Sequence, residues 1–449
     1  MANKKNAKRT TQATVKTLTW EDDPGSGSKP LPVKAPDPAG KPLAFQFPSP
    51  APAPRTYKAG TAGFRYWVAV EALRRGASFW APRVPGGRWQ PGARLPVLLD
   101  EGEDLNAYYD RSALNFFHGP GPSGVVYSGE SPDVLCHEMG HAILDSVKPG
   151  LWDAASHEVA AFHESFGDMS AILSALQLPT LRKAVLVATG GRLYRSSRLS
   201  RLAEQLGAAI RAQHPDAVDR DCLRNAVNSF SYQDPLTLPS WAPATHLSSE
   251  PHSFSRVFTG AFFEALGGML AAVAKTPSAP TEAELLGVSG DMGDILVSAV
   301  RAAPVASGFY SRVATGMVHV ASTRRPAYGA ALKATFARRS ILSVASVAAL
   351  ATGPAAAPAE VEQGREPSRI AIDATSFGLD TRSLYVFGAA QPAAAGAFVE
   401  DLLRRGRVHL AGAGGVAAMA PASPHPLKTH SLVKENGEVV LRRNLFDCR

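Results

Sequence analysis

The sequence predicts an α+β protein with two lobes and a polar cleft between them. Short apolar runs suited to strands lie between residues 95 and 127, whereas helical three-and-four spacing of apolar residues dominates from residue 254 to residue 342. Between these regions, two amphipathic segments each present acidic or imidazole side chains on one helical face. We therefore expect an N-terminal lobe that contains a sheet, a C-terminal lobe that is mainly helical, and a site where the two polar helices meet.

Length and composition predict how the chain is divided. Its 449 residues are 45% hydrophobic and 19% charged, and 35 Pro with 39 Gly indicate long irregular stretches. The Gly/Ser-rich and Pro-rich runs near the N-terminus offer little apolar surface to bury, so we expect disorder there. The predicted divisions are a disordered Pro-rich segment (1–60), a sheet-containing lobe (61–155), a helical lobe (156–342) and an Ala/Pro/Gly-rich extension of unknown role (343–449).

Periodicity and end signals predict the individual elements in chain order. Helices are expected at Phe64–Leu73, Ser131–Val147, from Ser156 onward, Phe254–Ala274, Thr281–Arg301, Gly308–Leu342 and Glu400–Arg405. Short strands are expected at Leu95–Leu99, Leu114–Phe117, Val125–Tyr127 and Glu438–Leu441, and Ser383–Phe387 stands out as an isolated apolar run.

His137, Glu138 and His141 form the most informative motif of the chain. Four residues on an α-helix turn through about 400°, so the two imidazoles leave the same face one turn apart and can bind one metal ion. Glu138 points about 100° away from His137, which places its carboxylate within reach of a water molecule on the open side of the metal. The motif therefore predicts two metal ligands and a general base.

A second run supplies the remaining groups of a catalytic zinc site. Such a site takes three protein ligands and keeps one position for water, and Glu164 is the leading candidate for the third ligand. Asp168, one turn later, can accept the outer N–H group of a ligating histidine. His157 and His163 each adjoin a glutamate and either can be proposed as a ligand instead, while Cys136 projects away from His137 and is better interpreted as a buried thiol.

These two helices resemble those of the thermolysin-like zinc metallopeptidases, in which an HExxH helix is followed by a helix carrying Glu and, four residues later, Asp. The resemblance extends over residues 100–342. Asn106 and Ala107, followed by two tyrosines, are similar to the family's edge strand, which binds an extended substrate by strand addition. Val134, Leu223 and Arg224 match positions that line the pocket for the residue after the scissile bond.

The resemblance also implies how the site would work. It implies one catalytic Zn²⁺ ion and an endopeptidase that hydrolyses peptide or protein substrates before a bulky apolar residue. Glu138 would be the general base, and His252, with Trp152 or Arg224, would stabilise the developing negative charge. Trp152 stands where the family has a tyrosine. Asp133 alone remains of the acids that would bind structural calcium, so calcium is not expected.

Two other classes of function remain open at this point. A metal-binding scaffold without turnover is suggested by the altered residues Trp152 and His163. A basic surface-binding module could use residues 1–20, which include Lys4, Lys5, Lys8 and Arg9, although the net charge of +8 is mild over this length and no aromatic residues interleave with the basic ones. We therefore expect no nucleic-acid partner.

The cellular context is predicted from what the sequence lacks. No run approaches the roughly 18 apolar residues of a membrane span, and the basic N-terminus has no apolar stretch typical of a secretory signal. The 3 cysteines indicate no disulfide framework. A cytoplasmic location is expected, with export by a leaderless route as the alternative, and a protease kept inside the cell would need an inhibitory partner.

Overall fold

The structure, a computed structural model, describes residues 15–306, 308–346, 348, 368–379, 381–388, 391–410 and 427–448. It is a mixed α+β protein, as the sequence predicts. The basic residues Lys4, Lys5, Lys8 and Arg9 lie outside the described residues, as does most of the Ala-rich stretch that follows residue 346. The helices are α1 (Ala62–Trp80), α2 (Pro132–Val147), α3 (His157–Ala175), α4 (Pro179–Thr189), α5 (Glu204–Gln213), α6 (Pro251–Val273), α7 (Glu282–Ala302), α8 (Phe309–Arg324), α9 (Pro326–Arg338) and α10 (Pro392–Arg404).

The strands form small sheets, and one of these sheets combines strands of the N-terminal half with the last strand of the described residues. The strands are β1 (Lys16–Thr19), β2 (Leu31–Lys34), β3 (Ala44–Gln46), β4 (Arg94–Leu98), β5 (Ala107–Tyr109), β6 (Leu114–Phe116), β7 (His118–Gly121), β8 (Gly124–Tyr127), β9 (Arg201–Leu202), β10 (Arg224–Asn225), β11 (Arg369–Asp373), β12 (Ser383–Phe387), β13 (Val408–His409), β14 (His430–Glu435), β15 (Glu438–Arg443) and β16 (Phe446–Asp447). The five-stranded sheet in the N-terminal half has the order β16-β5-β6-β4-β3. Its edge next to β5 is therefore covered by the C-terminal strand.

Helices α2 and α3 pack against each other at the centre of the molecule. A Cβ atom at Gly140 would lie only 2.8 Å from the Cα atom of Gly167, so the two glycines allow the helix backbones to approach closely. Behind them, Trp80 stacks on Phe166 and donates its indole N–H to Ser170 at 3.0 Å. The phenylalanine-rich face of α3 packs on α6, where Phe162 and Phe258 are fully buried. This apolar packing holds the polar face of each helix in one position.

Residues 15–60 differ from the expectation of a disordered segment. They contain β1, β2 and β3, and Phe45 of β3 is buried in the main core. The buried Asp23 accepts hydrogen bonds from the Ser131 hydroxyl and from the backbone N–H of Gln205. The low apolar content is therefore compensated by polar anchors on the folded body, which composition does not reveal.

The helical region confirms the expected elements with one correction. The pattern from Gly308 to Leu342 is two helices rather than one, since Pro326 lacks an N–H donor and begins a new helix at that point. Among the described residues, α6 is the single helix whose length and composition would allow a membrane span, and α3 with α4 would count only as one bent pair. The apolar stretch of α6 is 67% buried against protein, as in a core helix.

The C-terminal region folds into its own sheet and helix. The strand order is β11-β12-β15-β14-β13, and α10 packs on this sheet through buried Phe398, Val399 and Leu402. The unit is attached beside α3, where the Ala155 N–H donates to the Phe387 carbonyl at 2.8 Å. It therefore stands next to the polar faces of α2 and α3, and β16 extends from it into the N-terminal sheet.

Candidate metal centre and substrate cleft

Helix α2 begins where its capping residue predicts and presents both histidines on one face. The Ser131 hydroxyl accepts a hydrogen bond from the Val134 N–H, and Pro132 occupies the first turn. The rings of His137 and His141 have centroids 4.8 Å apart and are almost perpendicular. Burial lowers the pKa of His141 to about 3, so its imidazole is neutral and can donate a lone pair to a cation.

Glu164 of α3 reaches the same place from the opposite side. One ligand atom each from His137, His141 and Glu164 lie within 4.8 Å of one another, and all three residues are buried. Glu164 Oε2 is 3.3 Å from His137 Nε2 and its Oε1 is 3.8 Å from His141 Nε2. In the described part of the chain, neither histidine Nε2 nor Glu164 Oε2 makes a hydrogen bond. Buried polar atoms without partners are costly, so this donor set fits a bound metal ion.

Asp168 lies behind His137 and orients its ring. The His137 Nδ1–H group donates to Asp168 Oδ1 at 3.0 Å, which leaves Nε2 directed at Glu164. Burial opposes a charge on His137, but Asp168 and Glu164 outweigh it and raise its pKa to about 9 in the metal-free protein. Arg224 binds Asp168 at 2.9 Å and, despite the burial of this carboxyl group, its charge keeps the pKa of Asp168 low, at about 2.

Glu138 is buried beside the three candidate ligands. Neither of its carboxylate oxygens has a hydrogen-bond partner among the described residues. Burial raises the pKa of Glu138 to about 8, against the effect of the nearby His137. A carboxyl group that can gain and lose a proton near neutral pH is suited to general acid–base chemistry.

His252, at the start of α6, is held by two carboxylates. Its Nδ1–H group donates to Glu250 at 2.8 Å, and its Nε2 lies 3.2 Å from Glu164 Oε2. Burial would lower the pKa of His252, but Glu164 and Glu250 together hold it well above the usual value. The ring is thus an imidazolium whose Nε2–H group donates to the carbonyl oxygen of Asp447 at 2.6 Å.

The predicted substrate strand is present, and its outer edge is occupied. Asn106 directs its side-chain oxygen at the N–H of Ala107, at 2.9 Å, where β5 begins. β16 pairs antiparallel with β5, matching Phe446 with Tyr109. The N–H of Cys448 then donates to the Ala107 carbonyl at 2.9 Å. A segment of this chain therefore occupies the edge to which the family resemblance assigns a substrate.

The expected pocket lies beside His137, between α2, β9 and β10. Val134, Leu202, Leu223 and Arg224 line it, and Cys448 closes it. With Cys448 present, only about 10 Å³ remains, which is no more than one water molecule occupies.

The position of Trp152 in the sequence implies a role in stabilising a substrate oxyanion, but its side chain contacts the C-terminal unit instead. Its indole N–H donates to the Arg443 carbonyl at 3.1 Å, and its own carbonyl accepts from the Arg443 side chain at 3.0 Å. The N–H group that would stabilise a substrate oxyanion is thus bound to the C-terminal unit.

The three alternative ligands are directed elsewhere. His163 stacks on Phe446 with ring centroids 3.9 Å apart, and His157 bonds to Asp401 at 2.8 Å. The Cys136 thiol donates to the Ala72 carbonyl at 3.5 Å, as expected of a buried thiol.

Sequence reasoning missed the residues that the C-terminal unit brings to the cleft. Phe446, Asp447 and Cys448 are more than 190 residues from His252 and follow a stretch in which we found no motif. The run Glu438–Leu441 predicts the strand β15, but a strand pattern does not tell which edge a strand will pair with.

A second cluster of buried acids includes Asp133, the residue that the sequence analysis treated as the single remaining acid of a calcium site. Asp133 is joined by Asp22 and Glu204, whose carboxylate oxygens lie within 4.8 Å of one another in a buried site. Burial and the neighbouring carboxylates raise the pKa of Glu204 to about 10 and that of Asp22 to about 7. Because Asp22 and Glu204 lie far from Asp133 along the chain, the sequence alone does not reveal this cluster.

The comparisons with known proteins identify no family for this chain. No model of a known protein family matches the chain, and no curated protein matches its sequence.

Proposed function

We propose that this protein is a zinc-dependent endopeptidase with a thermolysin-like two-lobe architecture. The observation that carries the proposal is the buried trio of His137, His141 and Glu164, whose ligand atoms converge within 4.8 Å. A zinc ion bound there would supply Lewis-acid activation of water and of the scissile carbonyl group.

The residues around the trio support this proposal. Glu138 would take a proton from the attacking water and pass it to the leaving amine. His252 would donate its Nε2–H group to the carbonyl oxygen as negative charge develops, which is how it already contacts a peptide carbonyl in the structure. β5 would bind the substrate backbone by strand addition, and the pocket lined by Val134 and Leu223 favours an apolar residue after the scissile bond.

A metal-binding scaffold without turnover is the second candidate. The observation that favours it is the cleft filled by β16, because a permanently occupied edge would exclude other peptides. Under this alternative the metal would stabilise the join between α2 and α3 without reaching a substrate.

A peptide-library assay separates the two candidates. The zinc-loaded full chain and its Phe446→Ala variant, in which the stacking of Phe446 on His163 is lost, are incubated with peptides of varied sequence. We expect chelator-sensitive cleavage, stronger in the variant, that Glu138→Gln reduces by about 10²–10⁴-fold at equal zinc content. Cleavage that is absent in both chains, or that persists in Glu138→Gln, would contradict the enzymatic proposal.

A further inference from the structure

We infer that the Asp447–Cys448 peptide bond is a cleavage site for the protein's own active centre, presented to it as an intramolecular substrate. The inference rests on the proposed endopeptidase function and adds to it a site of self-processing. It stands on the contacts that Asp447 and Cys448 make with His252, Arg224 and strand β5 beside the proposed metal ligands.

The carbonyl group of Asp447 is in the position of a scissile carbonyl. Its oxygen accepts the Nε2–H group of His252 at 2.6 Å, and His252 Nε2 is also 3.2 Å from the ligand Glu164. The carbonyl is therefore held beside the metal trio by the residue predicted to stabilise an oxyanion.

The amide on the other side of this bond is held as a leaving group would be. The Cys448 N–H donates to the Ala107 carbonyl at 2.9 Å, and the Cys448 carbonyl accepts from Arg224 at 3.2 Å. The Cys448 thiol lies within 4.8 Å of ligand atoms of His137 and Glu138. The residue after the bond thus closes the pocket next to the general base.

Several contacts before the bond hold the segment in this register. Phe446 stacks on His163 and contacts Trp152 edge-on at 5.3 Å between centroids. The Asp447 carboxylate pairs with Arg407 at 3.0 Å, and Arg443 is bonded to Trp152. These buried anchors raise the local concentration of the bond at the site far above that of a free peptide.

The proposed step is an ordinary hydrolysis and balances without a further reactant. A water oxygen adds to the carbonyl carbon of Asp447, Glu138 takes a proton from that water, and the C–N bond to Cys448 breaks. The proton passes to the nitrogen of Cys448. The products are a carboxylate at Asp447 and a free amino group on Cys448.

Intact-mass analysis of the zinc-loaded full chain tests the inference. We expect the chain to end at Asp447 after incubation with zinc, and Glu138→Gln to keep Cys448. If the wild-type chain cleaves library peptides while the Asp447–Cys448 bond stays intact, the self-processing site is refuted and the endopeptidase survives. If neither substrate is cleaved, both proposals fail.

The dependence on concentration tests whether the reaction is intramolecular. We expect the same first-order rate over a hundredfold dilution of the protein, and no loss of Cys448 from Glu138→Gln chains mixed with wild-type chains. A rate proportional to concentration, with processing of the mixed-in variant, would overturn the intramolecular assignment.

A matched pair of variants tests the role of the amide. Cys448→Pro removes the N–H group that bonds to Ala107, whereas Cys448→Ala removes only the thiol and keeps that bond. Processing should be lost in the first and retained in the second. Equal processing of both variants would contradict the assigned register.

Alkylation of the Cys448 thiol in metal-free Glu138→Gln protein tests the position of the segment without requiring catalysis. Cys448 should resist alkylation, and so should Cys136 and Cys222, since all three thiols are buried. Adding Phe446→Ala should expose Cys448 selectively. Rapid alkylation of Cys448 without that substitution would show that the segment does not occupy the cleft.

Discussion

Gly167 faces the ring of His137 so closely that a Cβ atom at position 167 would lie 2.6 Å from both Nδ1 and Cε1 of that imidazole. No real Cβ contact is this short, so only glycine permits the ring to occupy its place between α2 and α3. The position of the proposed metal ligand His137 thus depends on a residue that has no side chain.

Gly167→Ala should displace His137 and weaken zinc binding by about tenfold or more, with a loss of stability of about 1–3 kcal/mol from overpacking. Competition with a chromogenic chelator and thermal unfolding measure the two effects. Gly287→Ala in α7 is the control, because a Cβ atom there meets nothing within 4 Å. Equal zinc affinity in both variants would show that the ring tolerates the added methyl group.

Asp168→Asn should lower zinc affinity by about 10–100-fold, because the carboxylate that orients His137 and pairs with Arg224 loses its charge. Glu158→Gln is a suitable control on the same helix. Glu158 is also a buried carboxylate, but it accepts hydrogen bonds from Tyr232 and Tyr310 instead. We expect it to reduce stability while zinc affinity stays unchanged. A similar loss of affinity in both variants would point to a general disturbance of α3.

Glu250→Gln should move the basic limb of the pH–rate profile to lower pH. Glu164 and Glu250 raise the pKa of His252 against the effect of burial, so removing one negative charge lowers that pKa and the protonated donor is lost sooner as the pH rises. The glutamine oxygen can still accept the helix-capping N–H of Ser253. The profile of kcat/KM measures the shift. An unmoved basic limb would mean that His252 is not the group that titrates.

Glu204→Gln should stabilise the metal-free protein at alkaline pH. Burial and neighbouring carboxylates raise the pKa of Asp22 from 3.8 to about 7 and that of Glu204 from 4.5 to about 10. Because the folded state binds these protons more tightly, the stabilising contribution is full below about pH 4 and is lost as the pH rises through 7 and beyond. The variant should therefore gain on the order of 2 kcal/mol at pH 8 and lose stability less steeply between pH 5 and 8.

Thermal unfolding in the presence of a chelator measures this effect, because a bound cation would mask the repulsion. Glu400→Gln removes an exposed carboxylate from an i,i+4 pair with Arg404 and should change little. Greater stability of the wild-type chain at pH 8 than at pH 5 would contradict the assigned pKa directions.

The sequence predicted best those elements whose capping residues and spacings lie close together in the chain. The cap at Ser131, the four-residue spacing of His137 and His141, and the cap at Ser156 all act within one or two helical turns. Pro326 shows the limit of this reasoning, because the apolar period continues across a break that only the missing N–H donor explains. The N-terminal segment was misjudged for a related reason, since Asp23 is ordered by partners far along the chain.

By itself, the sequence determined which residues are candidates for the metal centre, because helix geometry places His137 and His141 on one face of α2 and Glu164 and Asp168 on one face of α3. Only the tertiary structure decided what lies in the cleft. β16 pairs with β5 through backbone hydrogen bonds, which do not depend on the side chains. The identities of Asp447 and Cys448 therefore do not predict this pairing. The partners of Trp152 and of the acid cluster were likewise settled by contacts between distant segments.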